Sequence, residues 1–329
     1  MKALILAGGF GTRLRPLTYS RPKHLLPIAN TPHIEHVFDL LQRHGVEEVV
    51  LLTSYLAEAF EETVENARQR GLTVAVAHEN EPLGTAGALK NAHELVGDDT
   101  FFACNGDVLT DVDLTTVVDW HREKGAEATL VLTPVDDPSA YGVVPTEPDG
   151  RVQGFIEKPP RQDAPTNLIN AGIYVLEPVV LDRIPAGRVY SAERELFPAI
   201  VEDRTMFARG TDAYWMDIGT PAQYLQANLD ALAGRYICSG VTEPGERKSL
   251  LADGAEVHDT ARVSSTCLGS RSRVEADATV ERAVLLPGAT VGAGATVRDS
   301  VLGEKVRIGP AVAVEAATIG DHDTVDGEK

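Results

Sequence analysis

The stretch Leu4-Ile5-Leu6-Ala7-Gly8-Gly9-Phe10-Gly11-Thr12-Arg13-Leu14-Arg15-Pro16-Leu17-Thr18, followed by Arg21-Pro22-Lys23-His24, decides how this chain is read. Its apolar start, Ala3 to Ala7, predicts a short buried strand. The strand empties into a loop with glycines at 8, 9 and 11 and cations at Arg13, Arg15, Arg21 and Lys23. Glycines after a strand let backbone N–H groups turn toward an anion with no Cβ in the way. The cations add charge-assisted hydrogen bonds to phosphate oxygens. The pattern predicts a phosphate cradle at the C-terminal end of a first parallel strand, where open α/β sheets bind their ligands. Two commoner cradles are excluded. The dinucleotide fingerprint needs a third glycine where this chain has Leu14, and no Gly-Lys pair exists to open a P-loop helix. The bland alternative is a glycine-rich turn with solvated arginines.

Outward from this loop, Ile34, Val37, Phe38 and Leu41 fall on one face of an amphipathic helix that Gly45 stops. Val49 to Thr53 reads as a second strand, Leu56 to Gln69 as a helix ended by Gly71, and Thr73 to Ala77 as a third strand. Thr100 to Asn105, a helix from Leu114 to Lys124 and a strand from Ala128 to Thr133 continue the alternation. This order predicts a doubly wound, mostly parallel α/β sheet.

Two further stretches carry chemistry. Glu79-Asn80-Glu81-Pro82-Leu83-Gly84-Thr85-Ala86-Gly87 feeds a helix of small residues. It offers either close approach to a flat ligand, with a carboxylate to accept from a base N–H, or only a tightly packed helix. Gly106-Asp107 ends an apolar strand, where a carboxylate can meet a Mg²⁺ that bridges phosphates, or merely cap a turn. His33 and His36 have no third ligand nearby and read as helix surface rather than a metal site.

The glycine–arginine stretch with Arg21-Pro22-Lys23 resembles the signature of sugar-1-phosphate nucleotidylyltransferases, over residues 1 to about 236. That resemblance implies a Rossmann-like nucleotidyltransferase fold and transfer of a nucleotidyl group from a nucleoside triphosphate to a sugar 1-phosphate, with release of pyrophosphate. By the same resemblance Leu6, Ala7, Gly8, Gly9, Gly11, Thr12, Arg13, Glu79, Pro82, Gly84, Thr85 and Gly106 face the nucleotide. Lys23 stabilises the α-phosphate and departing pyrophosphate, and Asp107 and Asp217 hold Mg²⁺. Gly142, Glu157 and Asn170 contact the sugar, and Lys158 grips its phosphate. Taken alone, Glu157-Lys158 is more often a surface ion pair, and Asp217 a carboxylate near a helix start at Thr220. The segment Glu81 to Leu89 has Gly87 where thymidylyl-transferring relatives place glutamine, so it looks like the guanylyl branch, with GTP and mannose 1-phosphate as substrates. Transfer from dTTP or UTP to glucose 1-phosphate is the alternative within the family, and a non-catalytic regulatory subunit is the alternative outside it.

After a glycine-, proline- and charge-rich linker at residues 237–250 comes a repeat. Val257, Val274, Val291, Ile308 and Val325 recur every 17 residues, as do Val263, Val280, Val297 and Val314, and Leu268, Leu285, Leu302 and Ile319. One inward aliphatic per face of a three-sided coil predicts a stacked β-solenoid over residues 251–329. It resembles the hexapeptide left-handed β-helix and implies self-association or docking on the catalytic domain. Some such solenoids are acyltransferases with a catalytic histidine; here His258 and His322 only flank the coils, which argues against that reading.

The formal net charge of −19 over 329 residues argues against a general nucleic-acid or anionic-membrane surface and makes the cationic loop a local feature. No apolar run approaches the ~20 residues of a membrane span. The first strand starts at once, leaving no room for a signal peptide. Three scattered cysteines suggest neither a disulfide framework nor zinc, and a reducing, cytoplasmic compartment is expected.

Overall fold

A computed structural model describes residues 1–54, 56–79, 81–238 and 240–327. Asn80 of the base-facing stretch, Ser239 of the linker and the last two residues of the 251–329 repeat lie outside the described residues. The chain forms two compact units: Met1–Gly9 with Val37–Trp215, and Phe10–His36 with Met216–Lys329.

The first unit is a nine-stranded mixed sheet with flanking helices. Strand β1 (Lys2–Leu6) is followed by α1 (His33–Arg43), β2 (Glu48–Thr53), α2 (Glu61–Gln69), β3 (Thr73–His78), α3 (Gly84–Asn91) and β4 (Phe101–Asn105). Then come α4 (Leu114–Lys124), β5 (Ala128–Pro134), β6 (Leu168–Leu176) and β7 (Met206–Gly210). Strands β4, β1, β2 and β3 run parallel side by side, as the alternation predicts. The apolar run at Ala3–Ile5 is fully buried between two neighbours.

Beyond β4 the expected parallel order gives way. Strand β6 inserts antiparallel between β4 and β5, and the short pair Gly142–Val143 and Ile156–Glu157 extends it antiparallel. A bulge between Asn170 and Tyr174 breaks the β6 register, with Gly172 at φ 73°. A Cβ there would come within 2.6 Å of Asn105 Nδ2, so glycine is required on both counts. The helix expected from Leu56 opens instead as a 3₁₀ turn, Ala57–Phe60, and turns α-helical only at Glu61.

The second unit joins the signature loop, helix α5 (Pro221–Ala233) and the C-terminal repeat. The repeat is a left-handed parallel β-helix in the predicted register. Val257, Val274, Val291, Ile308 and Val325 pair in sequence across one sheet. The Val263 and Leu268 series do the same on the other faces. Every coil turns through left-handed corners whose φ is positive at 17-residue steps: Arg271, Gly288, Lys305 and His322; Asp277, Gly294 and Ala311; Ser265, Arg282, Asp299 and Ala316. The first strand of the stack is Leu250–Leu251, paired with Cys267 and Leu268. The stretch before it is tied down, Gly245 N–H to Leu232 carbonyl and Ser265 Oγ to Glu246 carbonyl.

His33 and His36 are buried, contrary to the surface placement expected from their spacing. His36 Nε2 lies 3.0 Å from the Ile28 carbonyl, and its ring meets Tyr236 edge-on. The apolar stripe of α1 is wider than its strictly hydrophobic residues indicate.

Candidate active site

The parallel strands of the first unit end together. Ala7 N–H donates to the Leu52 carbonyl, Gly106 N–H to the Leu6 carbonyl, and Glu79 N–H to the Thr53 carbonyl. Leu6, Ala7, Gly8, Gly9, Glu79, Gly106 and Asp107 therefore sit along one carboxyl edge, the edge at which such sheets bind ligands. Gly8 is closely held: its carbonyl accepts from Ser54 Oγ at 2.6 Å, and a Cβ would meet that hydroxyl at 2.7 Å and have to displace it.

Glu79 is almost wholly buried, and its Oε1 has no hydrogen-bond partner among the described residues. Burial raises its pKa above the ordinary carboxylate value, against the opposing pull of the Leu83 N–H and of His78. A buried acceptor without a partner is costly in a folded protein and suits a ligand donor.

The small residues of α3 (Gly84–Asn91) are closely approached by backbone, as the tightly packed alternative expects. A Cβ on Gly84 would meet the Tyr190 carbonyl at 2.9 Å, and one on Gly87 the Arg188 carbonyl at 2.8 Å. Ala86 and Gly87 N–H groups both donate to Tyr190 O. Their smallness admits protein backbone. Thr85 Oγ1 donates to Glu193 Oε2 and accepts from Ala192 N–H. Pro82 lies in the loop before this helix.

The residues expected to meet the sugar converge in one cavity of about 360 Å³, lined by Gly142, Glu157, Lys158 and Asn170. Asn170 is fixed on the β6 bulge, donating to Tyr174 Oη at 2.8 Å and accepting from Gly172 N–H. Lys158 adopts φ 49°, a strained value for a side chain of its size, and its Nζ lies 3.4 Å from Glu157 Oε1. Six other residues line it: Tyr141 and Phe155 beside the expected ones, and Ala140, Ser191, Glu193 and Arg194, which sequence reasoning missed. The last two lie on a single π-helical turn, Ala192–Leu196, with no periodic signal to announce it.

In the second unit the glycine loop closes on itself. Gly11 has φ 59°, its carbonyl accepts from Thr18 Oγ1 at 2.8 Å, and a Cβ would meet Lys23 Cβ at 3.2 Å. Thr12 and Arg13 form a 3₁₀ turn with Leu14, and Lys23 opens another with His24 and Leu25. Gly219 brings two more together: its missing Cβ would lie 2.7 Å from Arg13 Nη2 and 3.1 Å from Asp217 Oδ1.

Two of the four loop cations are engaged by other side chains. Arg21 is bound to Glu304 and Asp321, and the Arg15 guanidinium stacks 5.0 Å over the Tyr19 ring. His258 and His322 are exposed on the β-helix, His258 beside Thr260 Oγ1. Among the described residues no group of three or more histidines, cysteines or acids gathers as a metal cage, and no helix is long and apolar enough to cross a membrane.

A glycine-lined carboxyl edge with a buried, unpartnered carboxylate oxygen, beside a polar cavity carrying a lysine, fits a nucleotide-using α/β transferase. The chain belongs to the nucleotidyl transferase family, whose model matches residues 2–234; residues 246–328 match the GMPPB C-terminal domain. It is 40% identical over 290 residues to the mannose-1-phosphate guanylyltransferase of Mycobacterium tuberculosis, covering 87% of this chain and 80% of that protein. It is 44% identical over 229 residues to the mannose-1-phosphate guanylyltransferase catalytic subunit beta of Xenopus tropicalis, covering 68% and 63%. Among solved structures, HddC from Yersinia pseudotuberculosis complexed with GMP-PN is similar at 30% identity and TM-score 0.60, over 69% of this chain and 97% of that one.

Proposed function

We propose that this chain transfers the guanylyl group of GTP to mannose 1-phosphate, releasing pyrophosphate and forming GDP-mannose. The observation that carries the base is the buried Glu79 oxygen without a partner. Guanine presents N1–H and the exocyclic amine side by side as donors, whereas thymine and uracil present a single ring N–H. The relatives, themselves mannose-1-phosphate guanylyltransferases, support the same choice.

The chemistry asks little of acid–base groups. With a second pKa of about 6, the sugar 1-phosphate is already largely a dianion at neutral pH. Its difficulty is the approach of an anion to the α-phosphorus of a polyanion, so the residues must neutralise and align. In this reading Gly8, Gly9, Gly11, Thr12 and Arg13 receive the triphosphate, and Lys23 stabilises charge on the α-phosphate and leaving group. Lys158 holds the sugar phosphate, while Gly142, Glu157 and Asn170 hold the sugar. Asp107 and Asp217 are hard oxygen donors, two in number, which fits Mg²⁺: that ion usually keeps several waters and takes the rest of its shell from substrate phosphates. When bound it would supply charge neutralisation between the reactants. Residues 1–236 would carry catalysis, with 237–250 a linker and 251–329 a β-helix that supports it and favours self-association.

The test is a screen of five nucleoside triphosphates against several sugar 1-phosphates, scored by pyrophosphate release. GTP with mannose 1-phosphate should give the highest kcat/KM, and Asp217→Asn should abolish turnover at saturating Mg²⁺. A preference of about a hundredfold, roughly 2.7 kcal/mol, for dTTP with glucose 1-phosphate would overturn the guanylyl reading.

A further inference from the structure

Arg21 stands two residues before Lys23, yet its partners are 283 and 300 residues away. Nη1 donates to Glu304 Oε1 at 2.6 Å and Nη2 to Asp321 Oδ2 at 2.7 Å. Ser20 Oγ donates to the same Asp321 oxygen, and Asp321 Oδ1 accepts from Glu304 N–H at 2.7 Å. Burial opposes the charge on Asp321, but Ser20, the Glu304 N–H and Arg21 outweigh it and hold its carboxyl below the usual range. Arg21 and Asp321 expose only 15% and 10% of their side chains, so this pair is shielded well beyond an ordinary surface bridge.

The two acids occupy one position of successive coils, where the first coil carries Asp253 but the next two carry Ser270 and Pro287. The coil itself therefore does not need a carboxylate there. Pro16 also packs closely on the same coil, since a Cβ on Gly320 would fall 3.0 Å from Pro16 Cβ. The grip and this packing contact bracket Thr18, whose hydroxyl bonds the Gly11 carbonyl. Between Arg21 and Lys23 stands only Pro22, whose ring fixes φ (here −58°).

We propose that Arg21, gripped by Glu304 and Asp321, is a positioning residue that holds Lys23 against the Gly11 turn, so that the last two coils of the β-helix set the rate of transfer. The link to rate rests on the reading that Lys23 meets the phosphates. One stiff residue separates the grip from the lysine, and small displacements of a charged group cost rate steeply.

The experiment compares full-length Arg21→Ala, Arg21→Lys, Asp321→Asn and the Arg21→Ala/Asp321→Asn double variant, with Lys23→Ala as reference. Arg21→Ala and Asp321→Asn should each lower kcat about tenfold while KM for GTP stays within about twofold, because a misplaced lysine acts in the transition state. The double variant should fall no further than the worse single one, since the groups act as a unit. Arg21→Lys should recover most of the loss. In parallel, acetic anhydride labelling of Lys23, quantified by peptide mass, should change at least threefold in both single variants, at a temperature well below their melting points. A kcat within twofold of the parent in both, losses that multiply in the double variant, or an unchanged labelling rate overturns the proposal. A parent that turns over no substrate pair overturns the functional reading alone, because the labelling does not depend on turnover.

Discussion

Gly219 and Glu79 show what single positions of this site can and cannot tolerate. A methyl group on Gly219 would meet the tip of Arg13 at 2.7 Å and the Asp217 carboxylate at 3.1 Å. Arg13 is flexible and can move aside, so Gly219→Ala should leave the melting temperature nearly unchanged and lower kcat/KM at least about tenfold by displacing a phosphate ligand. Parallel melting and steady-state assays check this; a normal rate would remove Arg13 from the site. Glu79 is tested through pH. Its folded-state pKa is raised by burial, so it protonates at a higher pH than an exposed glutamate and loses an acceptor as it does. KM for GTP should therefore rise as pH falls toward the carboxylate range, before exposed acids titrate. Glu79→Gln should abolish that rise and weaken GTP about tenfold or more at neutral pH, the scale of a hydrogen bond to a charged group. A pH-independent KM in the parent would show that Glu79 does not meet the base. Glu79 was legible in the sequence as a carboxylate ahead of a small-residue helix. The partners of Arg21, nearly the whole chain away, were not.

Elements were legible where their periodicity is strict. Thirteen aliphatics at 17-residue steps predict the pairing of the β-helix residue for residue, because one slip would turn an aliphatic out of a closed core. Its corners were hidden. Gly288 and Gly294 mark two of them, but Arg271, Lys305, Ala311 and Ala316 take the same left-handed conformation with no residue signal. There the stacking of coils overrides local preference. The antiparallel insertion of β6 was hidden for a related reason: a buried strand reads the same in either direction, and only its neighbours fix the sense. The core of the stack should be intolerant. Leu285 is fully buried in the middle coils, so Leu285→Ala should cost about 2–5 kcal/mol. Urea melts of the variant would show this, and a cost under about 1 kcal/mol would mean that neighbouring coils collapse into the gap.

At the scale of the molecule, the sequence suggests a catalytic domain followed by a separate solenoid that self-associates or docks, while the structure gathers Phe10–His36 and the β-helix into one unit. Asn30 Nδ2 donates to the Leu268 carbonyl at 3.1 Å. Ala29 N–H donates to Asn228 of α5, which is fully buried, and α5 packs on the strands Arg262–Leu268 and Thr279–Leu285. Tyr224 of the same helix, also fully buried, donates to the Pro27 carbonyl. The loop carrying Arg13 and Lys23 is thus built against the tail through backbone and side-chain bonds. Removing residues 251–329 would leave α5 with an exposed apolar face and Arg21 without its acids. The shortened chain should melt at a lower temperature and lose turnover even where it remains folded, with the loss in kcat exceeding that of Arg21→Ala because Asn30 and α5 are released as well. Circular dichroism melts and pyrophosphate release on the shortened and full chains, compared at one temperature below both transitions, decide the point. If the shortened chain melts and turns over like the full one, the signature loop holds its own shape and the β-helix serves another purpose.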